Sequence, residues 1–185
     1  MTEKIIPPDE VYASLTSQIN EDLVQRVVNC FSVAINNKIK AVHLFMFSPG
    51  GMIPAAVAIY NFLSNIPIDL ITYNGGYVAS SAVLIYLAGK VRRASPNSTF
   101  LIHESTLQFS GPMNAEFLKV RSSSVERDNE IVESILRKHI SIHNPKGRIL
   151  GNIDQIIGAE EAKSIKLTHE IADFVLPPGN QLFNI

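Results

Sequence analysis

The sequence has no tryptophan and a single cysteine, Cys30. One thiol excludes an intrachain disulfide, so noncovalent packing has to hold the fold. Cys30 sits in Val27-Val28-Asn29-Cys30-Phe31, an apolar helical pattern that predicts a buried, inert thiol rather than a nucleophile. An excess of one charge is also lacking: 16 Lys and Arg stand against 17 Asp and Glu, with the two signs intermixed. This argues against nucleic acid as a partner, because no surface-wide field attracts a polyanion. There is no apolar run of membrane-spanning length, and Met1 to Pro8 carries no leader-like stretch, so a cytoplasmic protein without a membrane partner is expected. No metal-ligand spacing and no phosphate-binding loop occur, so neither a metal nor a nucleotide cofactor is expected.

The 185 residues are 46% hydrophobic and 18% charged. That composition suits one globular domain, residues 1–185, with a sizeable core. Residues 1–10 read as a loose start, followed by a short strand from Val11 to Leu15. Asn20 is a good N-cap for an amphipathic helix reaching about Ile35, with Glu21 and Asp22 in its first turn. Strands are expected at Ala41 to Phe47 and at Ile68 to Tyr73, the second ending at Asn74-Gly75-Gly76. Helices are expected from about Met52 to Leu63 and from Ser80 to Ala88, with Gly89 as a C-terminal cap. Short strands follow at Val91 to Ala94 and Thr99 to Ile102. Residues 113–140 lack glycine and proline, and a helix there would be about 40 Å long. Part of such a helix should project and pack on another subunit. A last helix near Ala159 to Lys166 and a strand at about Ile171 to Val175 complete the pattern. Strands alternating with helices define an α/β fold with a mainly parallel sheet. In such sheets sites form at the carboxyl ends of strands, here between Ser48–Gly51 and Asn74–Gly76.

Several residues there have usable chemistry. The glycines before Ser80 would let the chain turn tightly, placing Ser80 at a helix start as a nucleophile. The N–H of Ser81 would then face a developing oxyanion. An ordinary capping serine explains the same local sequence and is locally the commoner case. Pro49-Gly50-Gly51 offers further free N–H groups, or simply a tight turn. His103 ends a short apolar strand, where it could take the serine's proton, and Asp154 could orient His103. Each has a plain structural alternative, which also serves for His43, His139, His143 and His169. Spacing alone establishes no triad.

Taken in order, the segments resemble the Clp protease proteolytic subunit family over roughly residues 11–175. The residues that carry the resemblance are Ser48-Pro49-Gly50-Gly51, Gly76-Tyr77-Val78-Ala79-Ser80, Pro96-Asn97-Ser98 with Ile102-His103, and Asp154 ahead of Ala159-Glu160-Glu161-Ala162. The resemblance implies the family's fold of repeated β-β-α or β-α units with a protruding handle helix, here residues 113–140. It implies a serine-type endopeptidase acting on peptides or unfolded proteins through an acyl-enzyme. Ser80 would be the nucleophile, His103 the general base and acid, and Asp154 the orienting carboxylate. Backbone N–H groups of Gly51 and Ser81 would form the oxyanion hole, and His103 to Gly111 would line a peptide groove. A homo-oligomer, a ring or stacked rings, follows from the same resemblance. An AAA+ unfoldase partner is carried only weakly, since the stretch before the first strand is short. His43, Arg93 and Ser95 also replace aromatic or apolar docking residues. Two other classes remain open: a crotonase-like acyl-CoA enzyme, which also uses glycine-rich strand ends, and a non-catalytic ring or scaffold subunit.

Overall fold

The structure, a computed structural model, describes residues 9–106, 111–141 and 155–185. Strand β2 (Ala41–Ser48) shows how the sheet divides core from surface. Val42, Leu44, Met46 and Ser48 are buried on one face, while His43, Phe45 and Phe47 point to the other. That is the two-residue period of a pleated strand. Three helices cover the buried face. Helix α1 (Glu21–Asn36) contributes Leu23, Val27 and Phe31, spaced four apart on one stripe. Helix α2 (Ile53–Leu63) adds Ala55, Ala56, Ile59, Tyr60 and Leu63. Helix α3 (Ala82–Leu87) is buried at every position, as its unbroken apolar sequence requires. Asn20 caps α1, its side chain accepting the Leu23 N–H at 2.9 Å.

The sheet order is β6-β5-β3-β2-β1-β8, where β1 is Glu10–Leu15, β3 Asp69–Ala79, β5 Thr99–Ile102, β6 Gln155–Gly158 and β8 Leu182–Asn184. Strand β4 (Val91–Ala94) branches from β3, and β7 (Glu170–Ile171) pairs with β4. All pairings are parallel except β5 with β6. The expected α/β architecture with a mainly parallel sheet is therefore present. The long helix α4 (Ala115–His139) is present too, capped by Asn114 on the Phe117 N–H. Its first ten residues, 115–124, are exposed all round, whereas Ile135 and Leu136 near its end are buried. Helix α5 is Ala159–Ser164.

Several expectations need correction. Strand β3 does not stop at Tyr73 but runs through Gly75-Gly76 to Ala79. Gly75 is there for room: a Cβ would stand 1.9 Å from the Phe45 ring. Opposite these glycines the register with β2 shifts, Met46 pairing with Asn74 and Ser48 with Val78, so extra β3 residues bulge. Buried Asn74 braces the bulge, donating to the Thr99 carbonyl at 2.9 Å and accepting the Gly76 N–H at 3.0 Å. Helix α3 begins at Ala82 rather than Ser80. Gly89 does not take the left-handed cap conformation; a Cβ there would meet the Thr72 hydroxyl at 2.3 Å. Residues 172–175 are not strand. Cys30 is exposed, because the buried stripe of α1 passes through Val27 and Phe31 and turns Cys30 outward. Short β6 and β8 carry too little pattern to be foreseen.

Arg92 fastens the far edge. It is 5% exposed and donates to the carbonyls of Leu167 and Lys166 at 2.9 Å and of Gly89 at 3.4 Å. Nearby, the Tyr60 hydroxyl and Nε2 of His139 bond at 2.9 Å. Burial, aided by the charges of Arg92, Lys138 and His169, lowers the His139 pKa to about 4. Since the unfolded value is about 6.5, the unfolded chain takes up this proton first as pH falls. The contribution to stability is whole above about pH 6.5 and is lost as pH drops toward the folded value. Replacing His139 by Gln should therefore flatten the fall in urea midpoint between pH 7 and pH 5. An identical fall in both proteins would show that His139 is not its source.

Candidate active site

Two strand ends meet, one through the expected Gly50 and Gly51 and the other beyond the expected Asn74–Gly76. The loop after β2 lies against the end of β3 at Ala79 to Ser81, five residues beyond Asn74. Ser48 builds that loop. Its buried hydroxyl donates to the Ser17 carbonyl at 2.7 Å and accepts the Gly50 N–H at 3.2 Å. Gly50 has a φ of +90°, and a Cβ on it would stand 2.6 Å from the Ala79 carbonyl oxygen and 2.7 Å from Ser80 Cβ. Glycine is needed there for both conformation and space. Gly51 is held from the other side, where Ile19 pairs with it through Ile19 N–H to Gly50 O and Met52 N–H to Ile19 O, both at 2.9 Å.

Ser80 sits on a sharp elbow between β3 and α3. Its φ is +55°, in the left-handed region that side chains rarely occupy. The backbone around it holds it there: the Ser80 N–H donates to the Leu101 carbonyl at 2.7 Å, and its own carbonyl accepts the Val83 N–H at 3.1 Å. Lys38 and Lys166 also have a positive φ; Ser80 differs from them in being packed against Gly50 at a strand end. The capping alternative fails on geometry. Ser81, not Ser80, precedes the helix, and it makes no side-chain cap. Its hydroxyl instead donates to the Gly51 carbonyl at 3.1 Å, tying the two strand ends together. The bonds that fix this loop engage the carbonyls of Gly50 and Gly51 and leave the Gly51 N–H out.

His103 follows β5, which pairs with the end of β3, Ala79 lying opposite Leu101. Ser80 and His103 therefore follow the ends of adjacent, parallel strands. Among the described residues the Ser80 hydroxyl makes no hydrogen bond, so serine and histidine are neighbours by strand but not bonded to each other. The Nδ1 of His103 bonds the Glu104 carbonyl at 2.7 Å. Asp154 lies outside the described residues, as does part of the expected groove, 107–110. Gln155, the residue after Asp154, lies opposite Ile102, the residue before His103. Ile19 is a part of this framework that the sequence does not reveal, and Asn74 and Ser48 show there only as the first residues of Asn-Gly-Gly and Ser-Pro-Gly-Gly. Nothing in the sequence marks Ile19 as a sheet partner.

His43, Arg93 and Tyr73 meet on the sheet face opposite the helices. Tyr73 Oη accepts from Arg93 Nη1 at 2.8 Å and bonds His43 Nδ1 at 2.9 Å, while His43 Nε2 is 3.3 Å from Glu10 and Arg93 Nε is 2.7 Å from Glu170. Burial lowers the His43 pKa. Phe174 lies over this network, its ring 5.2 Å from Tyr73, 5.5 Å from Phe45 and 6.0 Å from Tyr12.

The fold and the elbow define the class: an α/β protein that presents a serine on a strained strand-to-helix turn packed against a glycine loop at the neighbouring strand end. The family model for Clp protease matches residues 9–174. The chain belongs to that family. It is 29% identical over 137 residues to the ATP-dependent Clp protease proteolytic subunit 1 of Mycolicibacterium paratuberculosis. It is 30% identical over 135 residues to the subunit of that name from Corynebacterium glutamicum. Each match covers 72% of this chain and 64% of the relative's length, so less than two thirds of either relative is spanned. A ClpP1 mutant from Listeria monocytogenes has the same fold, with a TM-score of 0.72 at 19% identity, over 88% of this chain and 91% of that one.

Gly50→Ala is expected to lower stability by about 2 kcal/mol, from strain at a positive φ and backbone crowding. The urea midpoint at fixed pH measures this. An unchanged midpoint would mean that the Ala79–Ser80 backbone moves aside at little cost.

Proposed function

We propose that the chain is a serine peptidase that cleaves peptides or unfolded proteins through an acyl-enzyme. The observation that carries this is the Ser80 elbow, a non-glycine residue held at positive φ against Gly50, in a chain of the Clp protease family. Ser80 Oγ attacks the scissile carbonyl while His103 Nε2 takes its proton. The N–H groups of Gly51 and Ser81 hold the oxyanion, and His103 then protonates the leaving amine. Water, activated by the same imidazole, releases the acid. Asp154 orients His103, a role supported by the β5–β6 register, which brings Gln155 beside Ile102. For attack, His103 must come within about 3 Å of Ser80 Oγ. The absence of that bond among the described residues fits a resting state that aligns on assembly.

The assembly is a homo-oligomer, a ring or stacked rings, built in part by the projecting half of α4. That half is exposed all round and carries Phe117, Leu118 and Val120, each more than 40% exposed; side chains of this kind on a bare helix are used as contacts. An AAA+ unfoldase partner is less supported. The face bearing His43 and Arg93 is filled by ion pairs and by Phe174 rather than left as an open apolar groove. Family membership weighs against the acyl-CoA alternative. Among the described residues, no helix is long and apolar enough to cross a membrane and no metal-ligating cluster occurs.

A fluorophosphonate probe should label the wild-type chain and lose at least about 90% of its labelling in Ser80→Ala; equal labelling would remove Ser80 as nucleophile. Light scattering of the purified chain should give a mass several times 20.4 kDa. A uniform monomer at high micromolar concentration would overturn the ring assembly.

A further inference from the structure

The Nδ1 of His103 faces the Glu104 carbonyl oxygen at 2.7 Å. A carbonyl only accepts, so Nδ1 carries a proton in this contact; of the two neutral tautomers it selects the one that leaves the lone pair on Nε2, the form a general base toward serine requires. That carbonyl belongs to the peptide group joining Glu104 to Ser105. The N–H of the same group donates to Asn129 Oδ1 on helix α4 at 2.9 Å. A peptide group is planar, and its N–H and C=O point in fixed opposite directions. Whatever aims the N–H at α4 therefore also aims the C=O at the imidazole, and the two bonds polarise one another through the group. The Ser105 side chain gives no help in this, since its buried hydroxyl has no hydrogen-bond partner among the described residues.

Asn129 also stands at a particular point of α4. Residues 115–124 are exposed, and side chains become partly covered from Val125 onward. Asn129 is thus near the base of the projecting half, where the helix joins the body.

We propose that Asn129 is a positioning residue: through the Glu104–Ser105 peptide it fixes the Nδ1–H tautomer and the aim of His103. This rests on the Ser80–His103 reading above. The test compares Asn129→Leu, similar in size but without an acceptor, with Asn129→Asp, which keeps one. With the full chain, the rate of fluorophosphonate labelling at Ser80 should fall about tenfold in the Leu variant, the effect of one lost hydrogen bond. It should stay within about twofold of wild type in the Asp variant. Long-range proton–nitrogen spectra of the His103 ring give a second readout that needs no reaction. Wild type and the Asp variant should show the proton on Nδ1, and the Leu variant a mixture of tautomers. If the Leu variant keeps both the labelling rate and the Nδ1–H pattern, or if the Asp variant is as impaired as the Leu variant in both, the proposal is overturned. A wild type that labels no better than Ser80→Ala would instead sink the nucleophile assignment, and the ring spectra would still decide the role of Asn129.

Discussion

The backbone of Gly50 packs against the carbonyl of Ala79 and the Cβ of Ser80 more closely than any side chain allows, and the rest of the site is arranged around that contact. It requires the loop after β2 to be held flat on the end of β3. Ser48 does this from inside the loop through its bonds to Ser17 and Gly50, and Ile19 does it from the other side through its pairing with Gly51. The strand that meets the loop must then turn at once, which forces Ser80 into the left-handed region at a cost of about 1–2 kcal/mol. Hydrogen bonds to Leu101 and from Val83 offset that cost. Serine at the elbow is therefore not a residue that happens to begin a helix. It is held in place by three segments: the loop after β2, strand β5 and the first turn of α3.

The opposite face of the sheet follows a different logic. A row of side chains that would form an aromatic surface, Tyr12, Phe45 and Tyr73, is interrupted by His43 and Arg93, and these groups need partners. Glu10 and Glu170 supply them from the neighbouring strands β1 and β7. Phe174 then covers the ring surfaces that the ion pairs leave bare. A face satisfied internally offers little to a partner, because anything docking there must displace Phe174 or break bonds already made. The network arises from residues on several different strands.

Much of this is legible in the sequence where local pattern and burial agree. The strand-length apolar run of Ala41 to Phe47 and the amphipathic pattern that runs to about Ile35 point to the strand and the helix that form. So does the cap at Asn20, seen in its bond to Leu23. Glycine is what misleads. Gly75 and Gly76 read as a turn because glycine often breaks strands, yet here the strand continues and the glycines make room for Phe45 and a bulge. Gly89 misleads in the same way, being small for Thr72 rather than free for a cap. These reasons depend on a side chain from another segment, so no local pattern contains them. Cys30 shows the reverse error: an apolar run is visible, but which side of α1 meets the core is decided one residue further along.

The histidine half of the site depends on contacts that are longer still in sequence. Strand β6 is four residues long and too short to show a period, yet its antiparallel pairing brings the chain after Asp154 back beside Ile102. Helix α4 comes from a third region and reaches the Glu104–Ser105 peptide through one side chain, Asn129. The Nδ1 of His103 meets a peptide group that is itself bonded to α4, and the orienting role proposed for Asp154 would come from a different segment, the chain before β6. Ser80, in contrast, is fixed by the sheet and the glycine loop. Ser80 is thus built on the sheet, and His103 stands between the end of β5 and a contact that reaches helix α4. The surroundings of His103 therefore depend on where α4 packs, and those of Ser80 on the sheet and the glycine loop.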